Sequence, residues 1–158
     1  MKIKSILISQ PKPEDIDKTP YGDIIKKYNV KVEFKKFFSI EGIAAKDFRK
    51  DKVSIPEFSC VIFNSKNAVD HYFRICGELR FQVPEMMKYF CVSESVAFYL
   101  QKYIVFRKRK IFYAKTQTIE ELVEIIKKHK TEKFLLPCSE VHKQELPSLL
   151  EANNIDYH

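Results

Sequence analysis

The chain has 158 residues, of which 45% are hydrophobic and 31% are charged, a composition typical of a globular protein with a sizeable core. Its 28 basic and 21 acidic side chains give a net charge of +7, which is compatible with an anionic partner. Only three glycines occur. This argues against a P-loop or a dinucleotide-binding glycine motif, because both need several closely spaced glycines.

The apolar runs and the spacing of cysteine and histidine exclude two further classes. No apolar run approaches the roughly 18 residues of a membrane span, and residues 5–9 are too short for the core of a signal peptide. We therefore expect a cytoplasmic protein without membrane association. The four cysteines lack C-x-x-C spacing and the four histidines lack H-E-x-x-H spacing, so we expect buried thiols and no metal site. The cysteines are Cys60, Cys76, Cys91 and Cys138.

The first part of the chain predicts a strand, a helix and a second strand. The strands are expected at 2–9 and 30–38, where apolar residues alternate. Between them, Thr19 and Pro20 form a helix start, with a capping hydroxyl followed by a proline in the first turn. Asn29 is expected to end this helix. The segment that follows is poorly patterned, with one short helix near 45–49.

Strands and helices continue to alternate through the rest of the chain. Short apolar runs predict strands at 58–63, 89–92, 111–114 and 134–136. Helix starts follow at Ser65, Ser93 and Thr118, and a last helix is expected at about 145–153. Alternation with short connections predicts parallel strands joined by helical crossovers. The fold class is therefore α/β, a parallel sheet flanked by helices of the flavodoxin-like kind.

Ligands of such sheets gather where the carboxyl ends of the strands turn into helices. Three turns lie at these positions, at 64–67, 93–95 and 137–140, and their hydroxyls and backbone N–H groups suit carboxylates or phosphates. The alternative is that their serines are only helix caps. The candidate binding residues are Asn64, Ser65, Lys66, Asn67, Ser93, Ser95, Cys138 and Ser139.

Four segments, in this order along the chain, resemble the motifs of one enzyme family. Residues 19–21 with 28–38 resemble its first helix and the strand that leaves its first domain. The sequence CVIFNSKNAV at 60–69 resembles its "IFTS…AV" turn, and FCVSESVA at 90–97 stands where the family has "VG..TA". The segment that begins with FLLPC at 134–138 resembles the closing strand and helix of its second domain. The whole chain is thus similar to the uroporphyrinogen-III synthases of haem biosynthesis.

This resemblance implies a division into two domains. Residues 1–33 would be the first strand and helix of an incomplete α/β domain, and 34–158 would form the second α/β domain. The sequence stops at Tyr157-His158, about where a family member would return to its first domain. We therefore expect a fragment or a degraded homologue that is inactive alone. A homo-oligomer or a domain swap through 1–33 would cover the apolar residues of that segment.

The resemblance also implies a reaction. The family cyclises hydroxymethylbilane, a linear tetrapyrrole, to uroporphyrinogen III, with inversion of the last pyrrole ring and loss of water. The enzyme is a lyase that needs no metal or organic cofactor. The candidate residues would hold the substrate carboxylates, and no catalytic residue is assigned. Ser93 and Val96 replace the glycine and threonine of "VG..TA", so a hydroxyl contact there must come from Ser93 or Ser95. The family's active-site tyrosine is not assigned to Tyr157.

Two other readings remain open at this point. The chain could be a non-catalytic domain that binds tetrapyrroles or other anions. Residues 101–115 carry six basic side chains and no acid, which suggests either a nucleic-acid patch or a solvated connection between a helix and a strand. We favour the solvated connection and expect no nucleic-acid partner.

Overall fold

The computed structural model of the protein describes residues 3–37, 39–139 and 142–158. Sequence-based expectations that involve Lys2, Phe38 and Glu140 lie outside the described residues. The chain forms two compact units, Met1–Gly42 and Ile43–His158. The domain boundary expected from the sequence, between residues 33 and 34, falls inside a strand of the first unit.

The first unit consists of strand β1 (Ser5–Ile8), helix α1 (Pro20–Tyr28) and strand β2 (Lys31–Phe34). The two strands are parallel and pair over their whole length, from Ser5 opposite Lys31 to Ile8 opposite Phe34. Several apolar side chains of this unit are more than half exposed. They are Ile3, Leu7, Tyr28, Phe37 and Ile40.

Helix α1 starts and stops where the sequence predicts, but its cap differs. Thr19 occupies the cap position, yet its hydroxyl donates a hydrogen bond of 2.7 Å to the Ile16 carbonyl and caps no helical N–H. This part of the prediction is wrong because the preceding loop folds back onto the start of the helix. The same close approach explains Gly22, where a Cβ atom would lie 2.8 Å from the Ile16 carbonyl oxygen. Asn29 ends the helix in the left-handed conformation.

The second unit contains a four-stranded parallel sheet in the order β5-β4-β3-β6. The prediction of a parallel sheet flanked by helices is therefore confirmed. Its strands are β3 (Cys60–Phe63), β4 (Lys88–Cys91), β5 (Ile111–Tyr113) and β6 (Phe134–Leu135). Its helices are α2 (Ala45–Phe48), α3 (Lys66–Glu78), α4 (Glu94–Tyr99), α5 (Ile119–Lys127) and α6 (Glu145–Ala152). The described helices include none long and apolar enough to cross a membrane.

The core lies on both faces of the sheet, and strand β3 is completely buried. Val61 and Phe63 face α3 and α4, where Phe63 contacts the rings of Tyr72 and Tyr89. Cys60 and Ile62 face the other way and pack with α5 and α6. This explains why β3 is an uninterrupted apolar run, since a central strand covered on both sides has no polar face.

Two burial expectations need correction. Val92, which the sequence places in the continuous apolar strand at 89–92 and thus in the core, is only half-buried because β4 has ended and the chain is turning toward α4. Cys138 is exposed, whereas the other three cysteines are buried as predicted, and all four are free thiols. Burial raises the pKa of the Cys91 thiol to about 12, so this side chain behaves as a small apolar group.

Among the residues that the structure describes, five non-glycine residues adopt the left-handed backbone conformation and no glycine does. Glycine adopts this conformation at little cost, but a residue with a Cβ atom is strained there. The five residues are Asn29, Lys52, Arg80, Gln117 and Asn154.

Candidate functional site

The turns singled out from the sequence leave the same edge of the four-stranded sheet. Strand β3 is central and has β4 on one side and β6 on the other, and all three run parallel. The segments that follow them therefore begin at the carboxyl edge. The Val92 N–H donates a 3.0 Å hydrogen bond to the Phe63 carbonyl, which ties the ends of β3 and β4 together.

The turn between β3 and α3 is a capped helix start with open backbone donors. The Ser65 hydroxyl accepts a 3.1 Å hydrogen bond from the Ala68 N–H, as the sequence predicts. The N–H groups of Lys66 and Asn67 have no acceptor among the described residues. They open a helix of 13 residues, whose dipole adds positive potential at this end. Asn64, Lys66 and Asn67 are exposed, so this turn can receive an anion.

The turn between β4 and α4 has one occupied and one accessible hydroxyl. Ser93 is 8% exposed, and its hydroxyl accepts a 3.4 Å hydrogen bond from the Val96 N–H. Ser95 is exposed, with its hydroxyl 3.1 Å from that of Ser93. The Ser93 hydroxyl therefore acts as a helix cap, whereas the Ser95 hydroxyl is accessible to a ligand.

The segment after β6 contributes Cys138 and Ser139, which are both exposed. The ring Nδ1 of His142 is 2.8 Å from the Ser139 carbonyl oxygen, so the two sides of this loop are hydrogen-bonded. Although the residue as a whole is exposed, partial shielding of its thiol from water raises the pKa of Cys138, which leaves the thiol protonated at neutral pH.

One residue pair at this edge was not anticipated from the sequence. Tyr113 ends β5, and its hydroxyl donates a 2.9 Å hydrogen bond to the Glu94 carboxylate in the first turn of α4. This hydrogen bond raises the pKa of Tyr113. The sequence does indicate the position of Tyr113 at this edge, since Tyr113 belongs to a predicted strand of the parallel sheet. Its pairing with Glu94 depends on β4 and β5 being neighbours, which periodicity does not reveal.

Lys66 is one cation at this edge that remains available for a ligand. Its ammonium lies 5.5 Å from the centre of the Tyr99 ring, and within the described ranges it forms no ion pair. Lys102 is neutralised instead, because it pairs at 3.0 Å with Asp70, which also accepts hydrogen bonds from the hydroxyls of Tyr99 and Tyr103. Lys66 therefore supplies a positive charge without an ion pair from the first residue of α3, the same residue whose N–H group is open.

Comparison with known proteins agrees with the architecture. A family model described as "Uroporphyrinogen-III synthase HemD" matches residues 35–158, which is more than half of the chain. No curated protein matches the chain. The crystal structure of uroporphyrinogen-III synthetase from Helicobacter pylori 26695 has a similar fold, with a TM-score of 0.50 and 16% sequence identity.

The aligned region covers 99% of this chain and 59% of the Helicobacter pylori chain. At this level of identity the likeness shows the fold, whereas the family model identifies the sequence relationship. The resemblance inferred from the four sequence motifs is thereby confirmed. The chain belongs to the uroporphyrinogen-III synthase family.

Proposed function

We propose that this protein is a uroporphyrinogen-III synthase. It would cyclise hydroxymethylbilane to uroporphyrinogen III, with inversion of the last pyrrole ring and loss of water. Family membership supports the reaction, and the carboxyl edge of the four-stranded sheet supports the binding of an anionic substrate. The observation that carries the binding proposal is the pair of open N–H groups at Lys66 and Asn67, together with the unpaired ammonium that Lys66 brings to the same helix start.

Substrate carboxylates are the groups that this edge would hold. In the family's substrate every ring carries an acetate and a propionate side chain. Backbone N–H groups at a helix start, together with an ammonium, form charge-assisted hydrogen bonds with carboxylates. Asn64 in the same turn and Ser95 in the turn after β4 are exposed, and they would add an amide and a hydroxyl donor.

Orientation of the substrate would be the main contribution of these residues to the rate. The pyrrole nitrogen lone pair can expel the hydroxyl group of the substrate, so the substrate carries much of its own reactivity. The protein would hold the flexible tetrapyrrole so that the correct ring carbon is placed to attack. Such positioning can lower the activation barrier substantially, because the two reacting ends of the free substrate rarely meet in this geometry. This proposal therefore assigns binding roles to the edge and names no acid or base.

Porphyrin isomer analysis tests the proposal directly. The protein is incubated with hydroxymethylbilane, and the oxidised porphyrins are separated by chromatography. Hydroxymethylbilane alone cyclises to uroporphyrinogen I, so protein-dependent accumulation of the III isomer would establish catalysis. Binding of hydroxymethylbilane without any III isomer would favour the alternative, a non-catalytic tetrapyrrole-binding domain. The sequence analysis predicts the opposite outcome, no III isomer from this chain alone, and the same assay decides between that prediction and the proposed activity.

A homo-oligomer or a domain swap through residues 1–33 also stays a prediction. The exposed Leu7 and Tyr28 of the first unit support it, since a second copy would cover such side chains. Light scattering coupled to size-exclusion chromatography measures the mass in solution, and a monomer at all concentrations would contradict the prediction.

A further inference from the structure

A cavity of about 210 Å³ lies at the amino edge of the four-stranded sheet, opposite the turns described above. It is a partly open cavity between the loops that lead into β4 and β5, so neither the helix starts nor their serines contribute to it. Most of its lining is apolar. The lining includes Val83, Glu85, Met87, Ile104, Arg107 and Lys110.

Lys110 is the unusual member of this lining, because it is only 7% exposed. Its ammonium donates hydrogen bonds to the Glu85 carbonyl and, at 3.6 Å, to the Met86 sulfur. Within the part of the chain that the structure describes, no carboxylate pairs with it. The Glu85 carboxylate is directed to Arg107 instead, at 3.1 Å.

The backbone keeps Lys110 at this position. Its N–H donates to the Arg107 carbonyl at 2.9 Å, and its carbonyl accepts from the Tyr89 N–H at 2.8 Å. The second hydrogen bond is part of the pairing between β4 and β5, so the side chain is presented by a rigid element. A buried ammonium without a counter-charge is unfavourable, and folded proteins normally pair it.

We propose that the cavity binds a small monocarboxylate with one aromatic ring. The carboxylate would pair with Lys110, and the ring would lie between Val83, Met87 and Ile104. Because Arg107 and Glu85 neutralise each other, the site has one uncompensated positive charge and selects a single negative charge. An apolar cavity of roughly 150 Å³ accommodates benzene, so the observed volume suits one ring with a short acidic side chain.

This proposal also accounts for part of the basic segment noted in the sequence. Of the four consecutive basic residues at 107–110, Lys110 is buried and Arg107 is paired, which leaves Lys108 and Arg109 exposed. The four basic residues therefore do not form one continuous basic surface, since only two of them are exposed and unpaired within the described residues. The inference does not depend on the proposed function, because the two sites lie at opposite edges of the sheet.

Binding of phenylacetate to the wild-type protein is the first test. Titration followed by amide chemical shifts in NMR spectra should show saturable shifts at Met87, Lys110 and Ile111. Phenylacetamide has the same ring without the charge, and it should bind at least about tenfold more weakly, because charge-assisted hydrogen bonds are the stronger kind. Acetate has the charge without the ring, and it should also bind at least about tenfold more weakly.

Two variants locate the charge. Lys110→Met keeps the length of the side chain and removes the ammonium, and it should weaken phenylacetate binding at least about tenfold. Lys108→Met is the matched control in the same basic segment, and it should leave the affinity unchanged within about twofold. If Lys110→Met fails to fold, the comparison of phenylacetate, phenylacetamide and acetate on the wild-type protein decides the question alone.

Several results would overturn the proposal. Equal affinity for phenylacetate and phenylacetamide would show that the ammonium is not used. Equal affinity for acetate would show that the apolar walls are not used. Amide shifts confined to residues 64–67 and 93–95 would place the ligand at the candidate functional site, and the absence of saturable shifts would exclude a site of this class.

Discussion

The Lys88 ammonium pairs with the Glu132 carboxylate at the amino edge of the four-stranded sheet, and Glu132 also accepts a 2.5 Å hydrogen bond from the Ser59 hydroxyl. Lys88 begins β4, Ser59 precedes β3, and Glu132 precedes β6, so the three side chains join three neighbouring strands. Lys88 and then Ser59 lower the pKa of Glu132, while Glu132 raises the pKa of Lys88.

The first prediction concerns the pH dependence of this pair. Because folding lowers the pKa of Glu132, the pair stabilises the protein above the unfolded carboxyl pKa of about 4.3. That stability is lost as the pH falls through the lower, folded pKa. The raised pKa of Lys88 adds stability that is present below about pH 10.4 and is lost as the pH rises through the folded value.

Glu132→Gln should therefore lower the free energy of unfolding by about 1–2 kcal/mol at pH 7, and by much less at pH 3. Urea denaturation at both pH values measures the difference. Burial lowers the pKa of the nearby His129 whereas the charge of Glu132 raises it, so the difference between wild type and variant also contains a change in the His129 titration. Glu124→Gln removes an exposed pair with Lys127 and should cost less than about 0.5 kcal/mol. An equal loss at pH 3 and pH 7 would contradict the ion-pair explanation.

The second prediction concerns the central strand. Phe63 is fully buried between Tyr72 and Tyr89, so Phe63→Ala should lower the free energy of unfolding by about 3–5 kcal/mol. Phe98→Ala is a control, because Phe98 is substantially exposed and should cost less than about 1.5 kcal/mol. Chemical denaturation measures both values. A loss below about 1 kcal/mol for Phe63→Ala would mean that β3 is not central.

The third prediction concerns substrate binding at the carboxyl edge. Lys66→Gln should weaken hydroxymethylbilane binding about threefold to tenfold, because one charge-assisted contact to a carboxylate becomes neutral. Lys130→Gln also removes one exposed positive charge, but Lys130 lies after α5 at the amino edge. The affinity of this variant for hydroxymethylbilane should therefore stay within about twofold of the wild-type value. Equal weakening by both variants would indicate attraction by net charge alone.

The fourth prediction separates the two roles of serine at this edge. Ser65→Ala removes the hydroxyl that caps α3 and should lower the free energy of unfolding by about 1 kcal/mol. Ser95→Ala removes an exposed hydroxyl that caps no helix, so stability should change by less than about 0.5 kcal/mol while tetrapyrrole binding weakens. Thermal unfolding and a binding titration on the same samples distinguish the two. Unchanged binding in Ser95→Ala would remove this residue from the site.

The sequence predicted those parts of the fold that depend on local pattern. Continuous apolar runs identified β3 and β4, and serine followed by a helical stripe identified the starts of α3 and α4. The remaining features depend on which elements become neighbours. The Thr19 hydroxyl contacts Ile16 because a loop folds back, and Tyr113 contacts Glu94 because β5 lies beside β4.

Lys110, in the cavity at the amino edge, shows the same limit of prediction from local sequence. A lysine among three other basic residues is expected to be solvated, and nothing in the local sequence distinguishes it from Lys108. It is buried because the strand that follows it pairs with β4 and carries it under the loop that contains Glu85. Burial of a charged side chain is thus decided by the pairing of distant segments.

The left-handed turns have a consequence for the unfolded chain. With three glycines in 158 residues, the unfolded backbone samples fewer conformations, so less entropy is lost on folding. Part of this stabilisation is lost at Lys52, Arg80 and Gln117, because the backbone of these non-glycine residues adopts a conformation that suits glycine. At these turns, strain lowers the free energy of unfolding, whereas the restricted backbone of the unfolded chain raises it. The protein therefore tolerates strain at a few turns and keeps a small conformational entropy in its unfolded state.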